Sequence, residues 1–142
     1  MKRLIGFLSV ATLAAVLAAP LAAQTFRVTA RVPFEFMVAG QSMPAGDYSV
    51  QRAGSSVASA IQVSSASASV VTLIMNSTAS RKEQTGQALL IFHRYGDQYF
   101  LSRIVDGYQD TGVEIPTSRN EKELSKTASI ESFETVAVLA RR

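Results

Sequence analysis

His93 is the residue best suited to proton transfer near neutral pH, and it is the single histidine of the chain. In nucleophilic hydrolysis such a histidine needs a serine nucleophile and an orienting carboxylate within hydrogen-bond reach. Serines are abundant, but the Gly-x-Ser-x-Gly turn that presents a nucleophile is missing, and Asp97 falls at a predicted hairpin tip. We therefore predict that His93 is a strand residue bonded to a neighbouring backbone or hydroxyl group. The chain is not expected to be an enzyme, and a hydrolase that uses His93 is the remaining alternative.

Arginine and tyrosine side chains near His93 suit ligand recognition. Arg94 and Tyr99 would lie opposite each other across a hairpin, where a guanidinium over a phenol ring is favourable. Together with Arg103 they would form a face for an anionic or sugar-like ligand, although cross-strand pairing alone also explains their types. Tyr95, Tyr99 and Tyr108 cluster near one end of the hairpin, where tyrosines bind partners or cover a core. The candidate ligand-binding residues are His93, Arg94, Tyr95, Tyr99 and Arg103.

Metal and cofactor sites are not expected in this chain. With no cysteine and one histidine, it lacks thiolate-ligated metals, thiol nucleophiles and paired-histidine sites. Asp106, Asp110 and Glu114 share a glycine-containing loop, but they do not have the spacing of an EF-hand. No phosphate-binding loop or dinucleotide fingerprint occurs. The basic residues are scattered rather than clustered, which argues against a nucleic-acid partner.

The first 23 residues have the pattern of a secretory signal peptide. Lys2 and Arg3 precede an apolar run over residues 4–19, and small residues follow as far as Ala23. The run is shorter than the roughly 20 residues that a spanning helix prefers, which favours cleavage over an uncleaved membrane anchor. Removing this segment brings the formal charge of +3 close to balance. We predict a mature protein of residues 24–142, periplasmic or extracellular, with no later transmembrane segment.

The segment 87–106 predicts a β-hairpin that positions the candidate residues. Gly96-Asp97 between two apolar runs suits a type II′ two-residue turn. In that register His93 faces Phe100 and Arg94 faces Tyr99. Both faces of the hairpin are largely apolar, whereas a solvent-backed antiparallel hairpin is polar on one side. We therefore expect the hairpin to be covered by a core and also by a helix, a second sheet, a ligand or a partner.

The remaining segments predict a mainly β fold. Alternating apolar residues over 26–32 and 34–38 indicate strands, a turn is expected over 39–46, and residues 47–52 and 133–140 also read as strands. Residues 60–64 suggest a weak edge strand, and the apolar run 70–75 suggests a strand covered on both faces. Ser118 and Glu121 form a capping box for a short helix over about 119–127. Turns that recur every 8–12 residues predict a single-domain antiparallel β-sandwich or small barrel of about seven strands.

Two segments together resemble a group of small secreted bacterial proteins of unknown function. One is VPFEFMVAG at 32–40 followed by MPAGDY at 43–48, and the other is FHRYGDQYFL at 92–101 followed by IPTSR at 115–119. The resemblance implies secretion and a β-rich fold over most of the mature chain. It implies no activity, cofactor or catalytic residue.

These observations lead to two hypotheses of function. The first is a secreted, non-catalytic β-domain that binds a small apolar molecule, a glycan or another envelope protein through the 87–106 hairpin region. The second is a structural envelope protein that assembles through an exposed strand edge, because strand addition supplies main-chain hydrogen bonds between chains. The C-terminal strand, 133–140, is the predicted donor in the second hypothesis.

Overall fold

The computed structural model of the chain describes residues 26–53, 59–78, 86–107, 111–127 and 133–141. The predicted signal peptide, Gln24, Tyr108 and Asp110 lie outside the described residues. The strands in these ranges are β1 (Arg27–Val32), β2 (Phe36–Val38), β3 (Gln41–Met43), β4 (Gly46–Arg52), β5 (Ala60–Ser64), β6 (Ser69–Leu73), β7 (Met75–Thr78), β8 (Ala88–Tyr95), β9 (Gln98–Val105), β10 (Thr111–Glu114) and β11 (Phe133–Arg141). The helix is α1 (Arg119–Thr127).

The strands form a nearly closed barrel, which confirms the predicted mainly β fold with one short helix. Their order in the sheet is β3-β2-β9-β8-β11-β1-β4-β5-β6. β7 follows β6 after Ile74 and pairs with β10. β10 in turn pairs with β9, so the pairing returns to a strand already in this order. Closure of this kind removes most free strand edges. The barrel remains open where β6 and β3 end the strand order, a gap that we call the seam.

The structure has more strands than the sequence predicts, and several of them are shorter than expected. Residues 39–46 were expected to be a single turn, but Ala39 and Gly40 both have positive φ, 49° and 82°, as a type I′ hairpin turn requires. The chain therefore reverses after two residues, and β3 pairs with β2. Residues 60–64, expected at an edge, lie between β4 and β6, with Ile61 and Val63 fully buried.

The apolar residues of the barrel interior come from alternate positions of the strands, as a period of two requires. In β1 the buried residues are Val28, Ala30 and Val32, and the intervening side chains are exposed. Phe36 and Phe92 pack edge to face, with ring centroids 5.2 Å apart, inside the same core. Within the described residues, no helix is both long and apolar enough to cross a membrane.

Candidate functional site

The hairpin of β8 and β9 has the predicted turn and the predicted pairing at its tip. Gly96 has a φ of 60° and Asp97 has a negative φ, as a type II′ turn requires. Arg94 pairs with Tyr99, and His93 pairs with Phe100. The four residue pairs nearest the turn therefore follow the register that the sequence predicts.

A β-bulge then shifts the register by one residue. Phe92 pairs with Leu101, but Ile91 pairs with Arg103, so Ser102 has no partner across the ladder. An extra residue of this kind reverses the face of everything that follows it. Ile104 consequently enters the barrel core, whereas Arg103 lies on the outer face with Ile91.

The bulge separates the candidate residues into two groups. Arg94 and Tyr99 share the inner face with Phe92, whereas His93, Tyr95 and Arg103 lie on the outer face. The single recognition face predicted for Arg94, Tyr99 and Arg103 does not form, because the prediction had no bulge between Tyr99 and Arg103.

The inner group is occupied by contacts within the chain. The Arg94 guanidinium lies 5.5 Å from the centroid of the Tyr99 ring and pairs with Glu134 of β11 at 3.1 Å. Tyr99 also stacks on Phe34, with ring centroids 3.9 Å apart. The expected cross-strand pair is thus present, and neighbouring strands extend it.

Helix α1 begins at the predicted capping box and carries a carboxylate to the outer face of the hairpin. The Ser118 hydroxyl accepts a hydrogen bond from the backbone N–H of Glu121 at 3.2 Å, which is the capping interaction expected for this sequence. This contact holds Glu121 in the first turn of the helix, and its side chain is only 6% exposed. The carboxylate of Glu121 therefore lies between the helix and the sheet.

A polar cluster of His93, Tyr95, Ser102 and Glu121 occupies this position. His93 Nδ1 lies 2.8 Å from Glu121 Oε1, and Ser102 Oγ lies 3.0 Å from His93 Nε2. With Glu121 as a carboxylate, Nδ1 carries the ring proton and donates a hydrogen bond to Glu121. Nε2 is then free of a proton and accepts a hydrogen bond from the Ser102 hydroxyl. The Tyr95 hydroxyl donates to the same Oε1 at 3.4 Å. The His93 side chain is 29% exposed, so this hydrogen-bonded row reaches the surface.

The sequence does not identify Ser102 or Glu121 as partners of His93. Glu121 was expected only to complete the capping box, and Ser102 was one serine among many. The helix places Glu121 beside a histidine 28 residues earlier in the chain. A carboxylate in the first turn of a helix that must dock on the hairpin is the one signal that would have pointed to it.

Burial, the negative charge of Glu121 and the hydrogen bond to that carboxylate, in that order, raise the pKa of Tyr95 above its ordinary value of 10.0. On unfolding, Tyr95 would lose its proton at a lower pH than in the folded chain. The contribution of Tyr95 to stability is therefore complete below pH 10 and is lost as the pH rises through the folded pKa.

We expect Glu121→Gln to lower the pKa of Tyr95 part of the way back, because burial, the largest cause, remains. Titration of the phenolate absorbance measures this directly, since the chain has four tyrosines and no tryptophan. Tyr95→Phe identifies which part of the curve belongs to Tyr95. Glu123→Gln, which neutralises an exposed carboxylate on the same helix, is the control. Identical titrations for Glu121→Gln and Glu123→Gln would contradict the assignment.

The seam is the second feature that could bind a partner. A shallow groove of about 560 Å³ lies between β6, the β2–β3 turn and the first residues of α1. Val71, Leu73 and Met75 project from β6 and β7 and are 58%, 67% and 52% exposed. These three residues, the apolar stripe, overturn the expectation that the run 70–75 is covered on both faces. The barrel interior covers only the face of this run that carries Val70 and Ile74.

Among the described residues, no group of three or more histidine, aspartate or glutamate side chains is placed to hold a metal ion. Comparison of the chain with protein-family models, with curated proteins and with solved structures found no match.

Proposed function

We propose that the mature chain is a secreted β-domain, periplasmic or extracellular, that assembles with a second copy of itself through the free edge of β6. Secretion is supported by the N-terminal pattern of residues 1–23 and by the resemblance to secreted bacterial proteins. The single observation that carries the assembly is an uncharged strand edge bordered by exposed apolar side chains.

One edge of β6 is paired and the other is available for strand addition. All five residues of β6 pair with β5, whereas none of the described strands pairs with the opposite edge. Unpaired N–H and C=O groups at such an edge act as a template for another strand. The groove leaves space beside this edge, and an added strand needs about 4.8 Å.

The composition of β6 favours self-pairing. Natural edge strands are blunted by lysine, proline or inward-pointing charges, but the segment 69–75 contains no charged residue and no proline. Two copies of β6 related by a two-fold axis would pair antiparallel about Val71, at the centre of the strand. No like charges would meet, and both copies of Val71 and Leu73 would lie on one continuous face. A two-fold contact uses the same patch on both subunits, which this strand supplies.

The C-terminal strand, the donor that the sequence suggested, is partly held in the sheet. β11 pairs with β8 over eight residues, whereas β1 pairs only with its last two residues, Ala140 and Arg141. Removing β11 would open the barrel rather than release a folded monomer. We favour β6 over β11 for assembly, because none of the described strands pairs with the second edge of β6, whereas β1 covers part of the second edge of β11.

The hairpin receives less support as the binding surface. Its two apolar faces suggested a ligand, but its inner face lies in the core, and α1 lies beside the outer face near the turn. The apolar pattern is thus explained by the chain itself. Binding of a glycan or small apolar molecule at the hairpin remains a prediction with no further observation in its favour.

We expect Leu73→Lys to weaken self-association at least about tenfold, or about 1.4 kcal/mol, because it places a charge on each side of the two-fold contact. Sedimentation equilibrium over a range of concentrations measures the dissociation constant. Leu139→Lys is the matched control, because Leu139 is 65% exposed on β11, away from β6. A chain that is monomeric at all concentrations, or equal weakening by both substitutions, would overturn the proposal.

A further inference from the structure

We propose that Ser102, His93 and Glu121 form a hydrolytic site in which Ser102 is the nucleophile, acting on esters of small acyl groups. This activity is separate from assembly through β6 and goes beyond it. The sequence alone did not indicate this activity, because it showed neither an orienting acid for His93 nor the required geometry. Both are present in the structure.

The contacts match the roles that such a site requires. The nucleophile bonds to one ring nitrogen of the histidine at 3.0 Å, and the carboxylate bonds to the other at 2.8 Å. A carboxylate on Nδ1 holds the ring in the tautomer whose Nε2 accepts the serine proton, and it stabilises the imidazolium that forms. Glutamate serves in this position in known hydrolases of other folds. The nearly complete burial of Glu121 and the partial exposure of His93 leave the reactive end accessible.

The β-bulge is the element that presents Ser102. Bulges occur disproportionately beside active sites, where they redirect a side chain. Here the bulge leaves Ser102 without a partner on β8 and also turns Arg103 to the outer face. A cationic side chain thus follows the nucleophile on the same face, where positive charge would stabilise an oxyanion.

The reaction balances with water as the single co-reactant. Ser102 Oγ attacks the ester carbonyl carbon while its proton passes to His93 Nε2. The bond to the leaving alcohol breaks, and the alcohol oxygen takes that proton. Water then attacks the acyl-serine and gives a proton to Nε2, which returns it to Oγ, so ester and water yield acid and alcohol. Ser102 lines neither the groove beside β6 nor a second groove bordered by residues of β1, β4 and β11, which favours a small acyl group.

The test uses two probes on the purified chain, a fluorophosphonate and p-nitrophenyl acetate. The fluorophosphonate should attach covalently to the peptide that contains Ser102, as read by mass spectrometry. Ester hydrolysis should fall about 100-fold or more in Ser102→Ala and His93→Gln, which remove the nucleophile and the base. Ser102→Cys should still be acylated by the ester, because a thiol can take the same role.

Matched variants separate catalysis from folding. Ser125→Ala removes an exposed serine of α1 that bonds to a backbone carbonyl, and it should leave labelling and hydrolysis unchanged. Arg103→Gln should slow hydrolysis, whereas Arg94→Gln, on the other face, should not. Failure of the fluorophosphonate to label Ser102, with a hydrolysis rate equal to that of Ser102→Ala, would overturn the proposal.

Discussion

Gly107→Ala is expected to lower the free energy of unfolding by about 3 kcal/mol or more. Gly107 follows β9 with a φ of 77°, a left-handed conformation that costs alanine about 1–2 kcal/mol. An added methyl group would also overlap the backbone of Gln87, which cannot move as a flexible side chain can. The neighbouring hydrogen bond from Gly86 N–H to the Gly107 carbonyl, 3.0 Å long, would be strained as the two segments separate. Urea denaturation measures the loss.

Gly40→Ala is the matched control for this prediction. Gly40 has a similar φ of 82°, but nothing lies within 4 Å of the position that a methyl group would take. Its cost should therefore be limited to the conformational term of about 1–2 kcal/mol. Equal losses for the two glycines would show that the contact with Gln87 has no energetic weight.

Phe92→Ala should cost about 3–5 kcal/mol, the usual range for truncating a buried phenylalanine. The Phe92 side chain is 0% exposed, and its ring meets Phe34 and Phe36 edge to face, each with a centroid distance of 5.2 Å. The substitution removes these ring contacts together with the apolar area, and the barrel wall restricts how far the cavity can collapse. The change should appear as a lower denaturation midpoint with an almost unchanged urea dependence.

Leu139→Ala tests whether the loss at Phe92 comes from burial. Leu139 lies on β11, the strand paired with β8, but most of its side chain is in solvent. Its truncation should change stability by no more than about 0.5 kcal/mol. A comparable loss at Leu139 would mean that the two strands, rather than the core contacts of Phe92, govern the measured stability.

Helix α1 links the two sites proposed for this chain. Its first two residues, Arg119 and Asn120, border the groove beside β6, and the next residue, Glu121, bonds to His93. Substitutions that detach the helix would therefore disturb both surfaces. Leu73→Lys and Ser102→Ala avoid this difficulty, because neither residue lies on α1. Each proposal can thus fail without the other.

Local patterns were sufficient for most of the longer strands, the hairpin tip and the helix. Period-two alternation reflects the geometry of an extended chain, a Gly-x turn dictates its own dihedral angles, and a capping box joins residues three apart. For this reason β1, the pairing of Arg94 with Tyr99 and the span Arg119–Thr127 follow from the sequence. The barrel or sandwich alternative remained open, because alternation marks a buried face without saying which sheet covers it.

By itself, the sequence determined most of the longer strands, where the hairpin turns and where the helix begins, because each depends on residues a few positions apart. Only the tertiary structure decided three features that depend on distant segments. The bulge at Ser102 places Arg103 and Ile104 on faces opposite to those expected. The docking of α1 brings Glu121 to His93. The open seam leaves Val71 and Leu73 exposed, because burial of an apolar side chain requires another element to cover it, and no local pattern specifies that element.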